Sequence, residues 1–188
     1  MNIITLIVAA STLFILSGAW AASPALDDYK TLTLLQGEWV LAPVDKQEGG
    51  ATKKGPAAKL LGTDKTAMRF KVIGKGSTVQ ENLLPGTGKE MATMYHCNDF
   101  NNCSQLQAKH YCAKKNQPDL VFDDTGSSAR VISMACDMTS PLCNSSEGHV
   151  HNITHELSPD NNHLKTTYVI FNGGEFEKNS IYHFVRKQ

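Results

Sequence analysis

"MRFKVIGKGSTVQENL", residues 68–83, decides how this chain folds. Met68 to Ile73 is rich in aromatic and β-branched residues and reads as a strand. Gly74-Lys75-Gly76-Ser77 is a tight turn, and Thr78 to Leu84 returns as the antiparallel partner. The same pattern continues downstream. Pro85-Gly86-Thr87-Gly88 breaks the chain, and Glu90–Cys97 with Gln105–Cys112 forms the next hairpin. Further strands are expected at 120–123, 129–135, 150–157, 164–171 and 180–186. Pro159-Asp160-Asn161-Asn162 and Asn172-Gly173-Gly174 turn the chain between the last three. Upstream, Leu26 to Leu35 has the spacing of a short helix, and Glu38 to Leu41 is extended around Trp39. Residues 42–63 read as a long loop. Many short strands joined by turn residues, with little helix, indicate a sandwich or an up-and-down barrel.

The N-terminus is a separate matter. Ile3 to Leu16 is an uncharged apolar run, followed by Ala19-Trp20-Ala21, the small-x-small pattern of a cleavage site. The run is shorter than the roughly 20 residues of a spanning helix. Residues 1–21 are therefore expected to be a signal peptide, and 22–188 one exported, periplasmic or secreted domain with no membrane span once the signal is cleaved. Lys+Arg and Asp+Glu balance at 18 each. The basic residues are scattered, which argues against a nucleic-acid partner.

Five cysteines in an exported chain point to disulfides. Several pairings are open. The shortest-range one joins Cys97 to Cys103 and Cys136 to Cys143, each pair bracketing a turn-like segment. Cys112 is then left free. With Cys97 and Cys103 facing each other across the hairpin, alternation places Met94, His96, Leu106, Ala108, His110 and Cys112 on one face, expected to point inward.

"LLQGEW", residues 34–39, resembles the Gly-x-Trp opening of lipocalin-type barrels. Three further blocks occur in order: Pro85-Gly86-Thr87 with Glu90-Met91 and Tyr95-His96; His110-Tyr111-Cys112 with Asn116-Gln117-Pro118; and His149-x-His151. Together they are similar to a lipocalin-like, calycin-type family of uncharacterised exported bacterial proteins. The two cysteine-bearing turns depart from that pattern. The resemblance implies an all-β, up-and-down antiparallel barrel with a short N-terminal helix and a central cavity. It implies no assigned activity.

Candidate site residues follow from the residue chemistry. Cys112 with His110 could form a nucleophile and base. Two residues apart on a strand, however, their Cβ atoms stand about 6–7 Å apart, and no acid orients the pair. Cys112 is therefore read as a packed structural residue, and the chain as more plausibly a binding protein than an enzyme. His149 and His151 share a strand face, as His155 would, and imidazole pairs suit zinc or copper. In the assumed register, His96 and His110 lie roughly 20 Å apart and could not share an ion. The expected ligand-binding set is His96, His110, Asn116, Gln117, His149 and His151, with His149 and His151 as candidate metal ligands. A haem on a single axial histidine, as in nitrobindin-like barrels, is the alternative. A third possibility is a structural envelope protein with a filled barrel. His163 and His183 read as structural or solvent-facing. Arg186 is placed to stack on Trp39 where first and last strands meet. The leading expectation is a monomeric exported barrel holding a small, partly apolar molecule.

Overall fold

In the computed structural model, which describes residues 24–48, 51–99 and 101–188, ten antiparallel strands close into one barrel. The expected signal segment and its cleavage site lie outside the described residues. The strands are β1 (Gly37–Leu41), β2 (Met68–Ile73), β3 (Thr78–Leu83), β4 (Met91–Cys97), β5 (Leu106–Tyr111), β6 (Asp119–Phe122), β7 (Val131–Cys136), β8 (His149–Leu157), β9 (His163–Asn172) and β10 (Glu175–Arg186). Each pairs with its sequence neighbour, and β1 also pairs with β10, so no edge is left open. This closed antiparallel barrel is compatible with a calycin-like fold. The last strand starts at Glu175, earlier than Ser180, because its exposed and mostly polar first residues still ladder against the end of β9.

A short helix, α1 (Pro24–Thr33), covers one end. Tyr29, Leu32 and Leu35 are buried there, and the Tyr29 hydroxyl donates to the Gly76 carbonyl at 2.6 Å. The 42–67 connection is less featureless than expected, since it carries a second helical turn, α2 (Gly55–Ala58), with Ala57 buried. No helix among the described residues is long and apolar enough to cross a membrane.

Alternation sorts the wall into two faces. Phe70, Glu81, Thr93 and His110 lie opposite one another along one row across β2–β5, and all four are buried. The next row, Lys71, Gln80, Met94, Lys109 and Asp119, points outward and is polar apart from Met94. Trp39, Phe70, Tyr95, Tyr168 and Phe184 are fully buried, so side chains occupy the barrel's interior.

The β4–β5 register corrects the expected one. Cys97 pairs with Leu106, three residues beyond Cys103. An odd shift flips one strand relative to the other. Thr93 and Tyr95 therefore face inward with Leu106, Ala108 and His110, while Met94 and His96 face outward. The cause is the loop. Cys103 sits in it with φ +40° and reaches Cys97 by a disulfide (S–S 1.95 Å), so it takes no place in the ladder. The second disulfide joins Cys136 to Cys143.

Candidate functional site

Two clusters of chemically capable side chains stand out. The first is inside the barrel and centres on Glu81, which is fully buried on β3. Its carboxylate accepts from the Tyr95 hydroxyl at 2.5 Å and from the Tyr168 hydroxyl. His155 Nε2 lies 2.9 Å from the Tyr95 oxygen and 3.3 Å from Glu81, and its Nδ1 lies 3.0 Å from Thr166 Oγ1. Burial pushes the Glu81 carboxyl up, but the hydrogen bond and charge of His155 and the two tyrosine hydroxyls outweigh it and hold the group below its usual range. Burial, followed by the Glu81 charge, drives both tyrosines well above theirs. Nearby, His110 Nδ1 meets Thr93 Oγ1 at 2.9 Å, while its Nε2 has no hydrogen-bond partner. Burial lowers His110 to about 4, against a smaller opposing pull from Glu81.

This interior cluster is satisfied apart from His110 Nε2, and bulky rings fill the space around it: Phe70 packs edge-on to His155 at 5.4 Å and Tyr168 lies 6.0 Å from His110. It orders the core. Sequence reasoning missed Glu81, Tyr168 and Thr166, although alternation placed a signal there. Glu81 sits between Val79 and Leu83, and Thr166 and Tyr168 sit between Leu164 and Ile170, each on an otherwise apolar face. Tyr95 was hidden by the register error.

The second cluster lies at the end of the barrel opposite α1. The His149 Nδ1 is 2.7 Å from the Glu147 carbonyl. A carbonyl only accepts, so Nδ1 carries the proton and Nε2 presents a lone pair. That lone pair faces His151 Nδ1 at 3.1 Å. The ligand atoms of His149, His151 and Cys136 all lie within 4.8 Å of one another. Two imidazole nitrogens on a tetrahedral zinc stand about 3.4 Å apart, close to the separation here. The arrangement supplies two convergent nitrogen donors, one with its other ring nitrogen already anchored, as metal-ligating histidines usually have.

Local structure builds this pair. The β8–β9 register shifts between Val150 and Asn152, which makes His151 the extra residue of a bulge. His149 pairs with Phe171, on the face opposite that of Val150 and Ile170. His151 stacks on the Phe171 ring at 3.8 Å and 9°. Its basicity is lowered by burial and by the neighbouring His149. Asn116 holds the approach: its Nδ2 donates to Glu147 Oε1 at 2.8 Å and to the Gly148 carbonyl at 2.9 Å. Gly148 sits close beneath Lys114 and Asn172: a Cβ there would lie 2.7 Å from Lys114 Nζ, so a larger residue would displace that lysine's end.

The expected ligand set is thus divided. His149 and His151 come together, but on the barrel's outer side and not lining its interior. The bulge reverses the alternation beyond them, so His155, expected on their face, points inside. His110 is also inside, and His96 faces outward, its Nδ1 3.0 Å from the Cys97 carbonyl. Asn116 serves the chain itself, and Gln117 is exposed. Cys112 is the free cysteine, its thiol pushed up by burial, and His110 is committed to Thr93. Neither feature suits a nucleophile and base pair. Arg186 lies over Trp39, 4.2 Å from the ring centre.

A third feature is a cleft of about 750 Å³ between residues 42–46 and β7–β10. Val131, Leu157, Leu164, Phe184 and Val185 line it together with Lys46, Arg130 and Lys165. No protein-family model matches this chain, and no curated protein matches it significantly.

Proposed function

We propose that this protein is an exported metal-binding barrel of lipocalin-like type, in which His149 and His151 take a first-row transition ion such as zinc or copper(II). The observation that carries the reading is the 3.1 Å approach of His149 Nε2 to His151 Nδ1, with His149 Nδ1 tied to the Glu147 carbonyl. In the metal-free chain, His151 Nδ1–H donates into the His149 lone pair. An ion would take that proton's place, and the proton would move to His151 Nε2. Two buried disulfide-linked cysteine pairs support the exported setting. The reading needs no enzyme activity.

Calorimetric titration with zinc(II) tests it. Wild type should take up about one equivalent, and His149→Ala and His151→Ala should each abolish uptake while leaving far-UV circular dichroism unchanged. Equal uptake by the double variant would overturn the proposal.

A second reading rests on the cleft. Its apolar walls, with Lys46 and Arg130 beside the Lys165–Glu156 ion pair, would suit a small amphipathic molecule with a carboxylate or similar head group. Binding of a fluorescent fatty acid that is lost in Arg130→Glu, but retained in His149→Ala, would favour it.

A further inference from the structure

The third member of the histidine cluster is a cystine sulfur. Cys136 is bonded to Cys143, yet its Sγ lies within 4.8 Å of both imidazole donors. A disulfide sulfur is a poor ligand, whereas a thiolate is a strong one for zinc, copper and cobalt. All three residues are held in place independently of the bridge. Cys136 ends a strand paired to β6, His149 is anchored by Glu147, and His151 is stacked on Phe171. Both Cys136 and His149 are almost wholly buried, at 4% and 1% exposure.

We propose, building on the metal-binding reading, that the Cys136–Cys143 disulfide is a redox gate on the metal site. With the bridge closed, the site offers two nitrogens and binds weakly. A dithiol reductant opens it: the reductant forms its own disulfide and passes two electrons and two protons to the bridge, leaving thiols on Cys136 and Cys143. An incoming ion displaces the Cys136 thiol proton to solvent and gains a sulfur ligand. The resulting two-nitrogen, one-sulfur set leaves a fourth position open. A disulfide oxidant reverses the step: it takes the two electrons with the Cys143 proton and one proton from solvent, becoming a dithiol, while the Cys136–Cys143 bridge re-forms and the ion is expelled. The ligand class is therefore a thiophilic divalent ion, held tightly only under reducing conditions.

The test uses cobalt(II) as probe in a Cys112→Ala background, which removes the free thiol. Cys143→Ser leaves Cys136 as a permanent thiol without any reductant, so the Cys97–Cys103 bridge is untouched. This variant should bind cobalt about tenfold or more tightly than its disulfide-containing parent and show a thiolate-to-cobalt charge-transfer band. The Cys136→Ser, Cys143→Ser double variant lacks the bridge equally and controls for folding through its melting temperature. It should bind like the parent, with no band. Parent-like affinity and no band in Cys143→Ser would overturn the gate while leaving the histidine site intact. Absence of cobalt uptake by every form, parent included, would overturn the metal-binding reading along with the gate.

Discussion

His110 makes one bond, to Thr93, and leaves Nε2 with no partner inside the barrel, so protonating its ring in the folded chain is costly. Its folded value of about 4 lies below the ordinary 6.5. As pH falls below about 6.5, the unfolded chain takes up a proton that the folded chain refuses until about pH 4. The contribution of His110 to stability is therefore level above about 6.5 and declines between there and 4, by about 3 kcal/mol in full. Urea unfolding should show wild type losing about 2 kcal/mol more than His110→Gln between pH 7 and 4.5; equal losses would contradict this account. Glu81 sets a second residue-level expectation. Glu81→Ala leaves His155 and two tyrosine hydroxyls without their acceptor, and should destabilise the fold by about 3–5 kcal/mol in chemical denaturation. A loss below about 1 kcal/mol would mean that water replaces the carboxylate at no penalty.

Among the elements, the junction of α1, β1 and β10 closes the barrel. Arg186, near the end of β10, stacks on Trp39 and donates to the Leu34 and Gln36 carbonyls at 2.9 and 2.7 Å, and to the Asn161 carbonyl at 2.8 Å. Trp39 Nε1 donates to the Leu35 carbonyl at 2.9 Å. One guanidinium thus satisfies carbonyls beyond the helix end and pins the last strand to the first. Gly37 makes room for it: its φ is +132°, and a Cβ there would stand 3.0 Å from Arg186 Nη1. Gly37→Ala should lower stability by about 1–3 kcal/mol, read as a fall in melting temperature. Arg186→Ala should do comparable damage, and the double variant should show less than the sum, because both changes strike one contact.

For the whole molecule, ten strands in a sequential meander close cleanly because an even number lets β1 and β10 meet antiparallel. Each disulfide joins the end of a strand, Cys97 of β4 or Cys136 of β7, to the loop that follows it, so neither spans the barrel. Each closes a short loop, with sequence separations of 6 and 7, so each should contribute only about 2 kcal/mol. Reduction should therefore lower the melting temperature without unfolding the barrel. Peptide mapping without reductant should recover Cys97 joined to Cys103 and Cys136 to Cys143. Cys112 should alkylate slowly until the chain is unfolded, since burial raises its thiol pKa. Rapid labelling of Cys112 in the folded protein would contradict its packed position.

Alternating strands, turn chemistry and cysteine spacing were all legible in the sequence, because each is local and the strand period is short. They were enough for an all-β chain and both short-range disulfides. Barrel closure and the coming together of the candidate site were matters of tertiary structure. Whether Met94 or Tyr95 points inward depended on which residue faces Cys97, and the disulfide loop settled that in favour of Leu106. Whether His155 joins His149 and His151 depended on a bulge at His151, which nothing in "GHVHNITHEL", residues 148–157, announces. Side-chain alternation has a period of two, so one extra residue reverses every assignment beyond it. Only pairing with neighbouring strands determines where that residue falls.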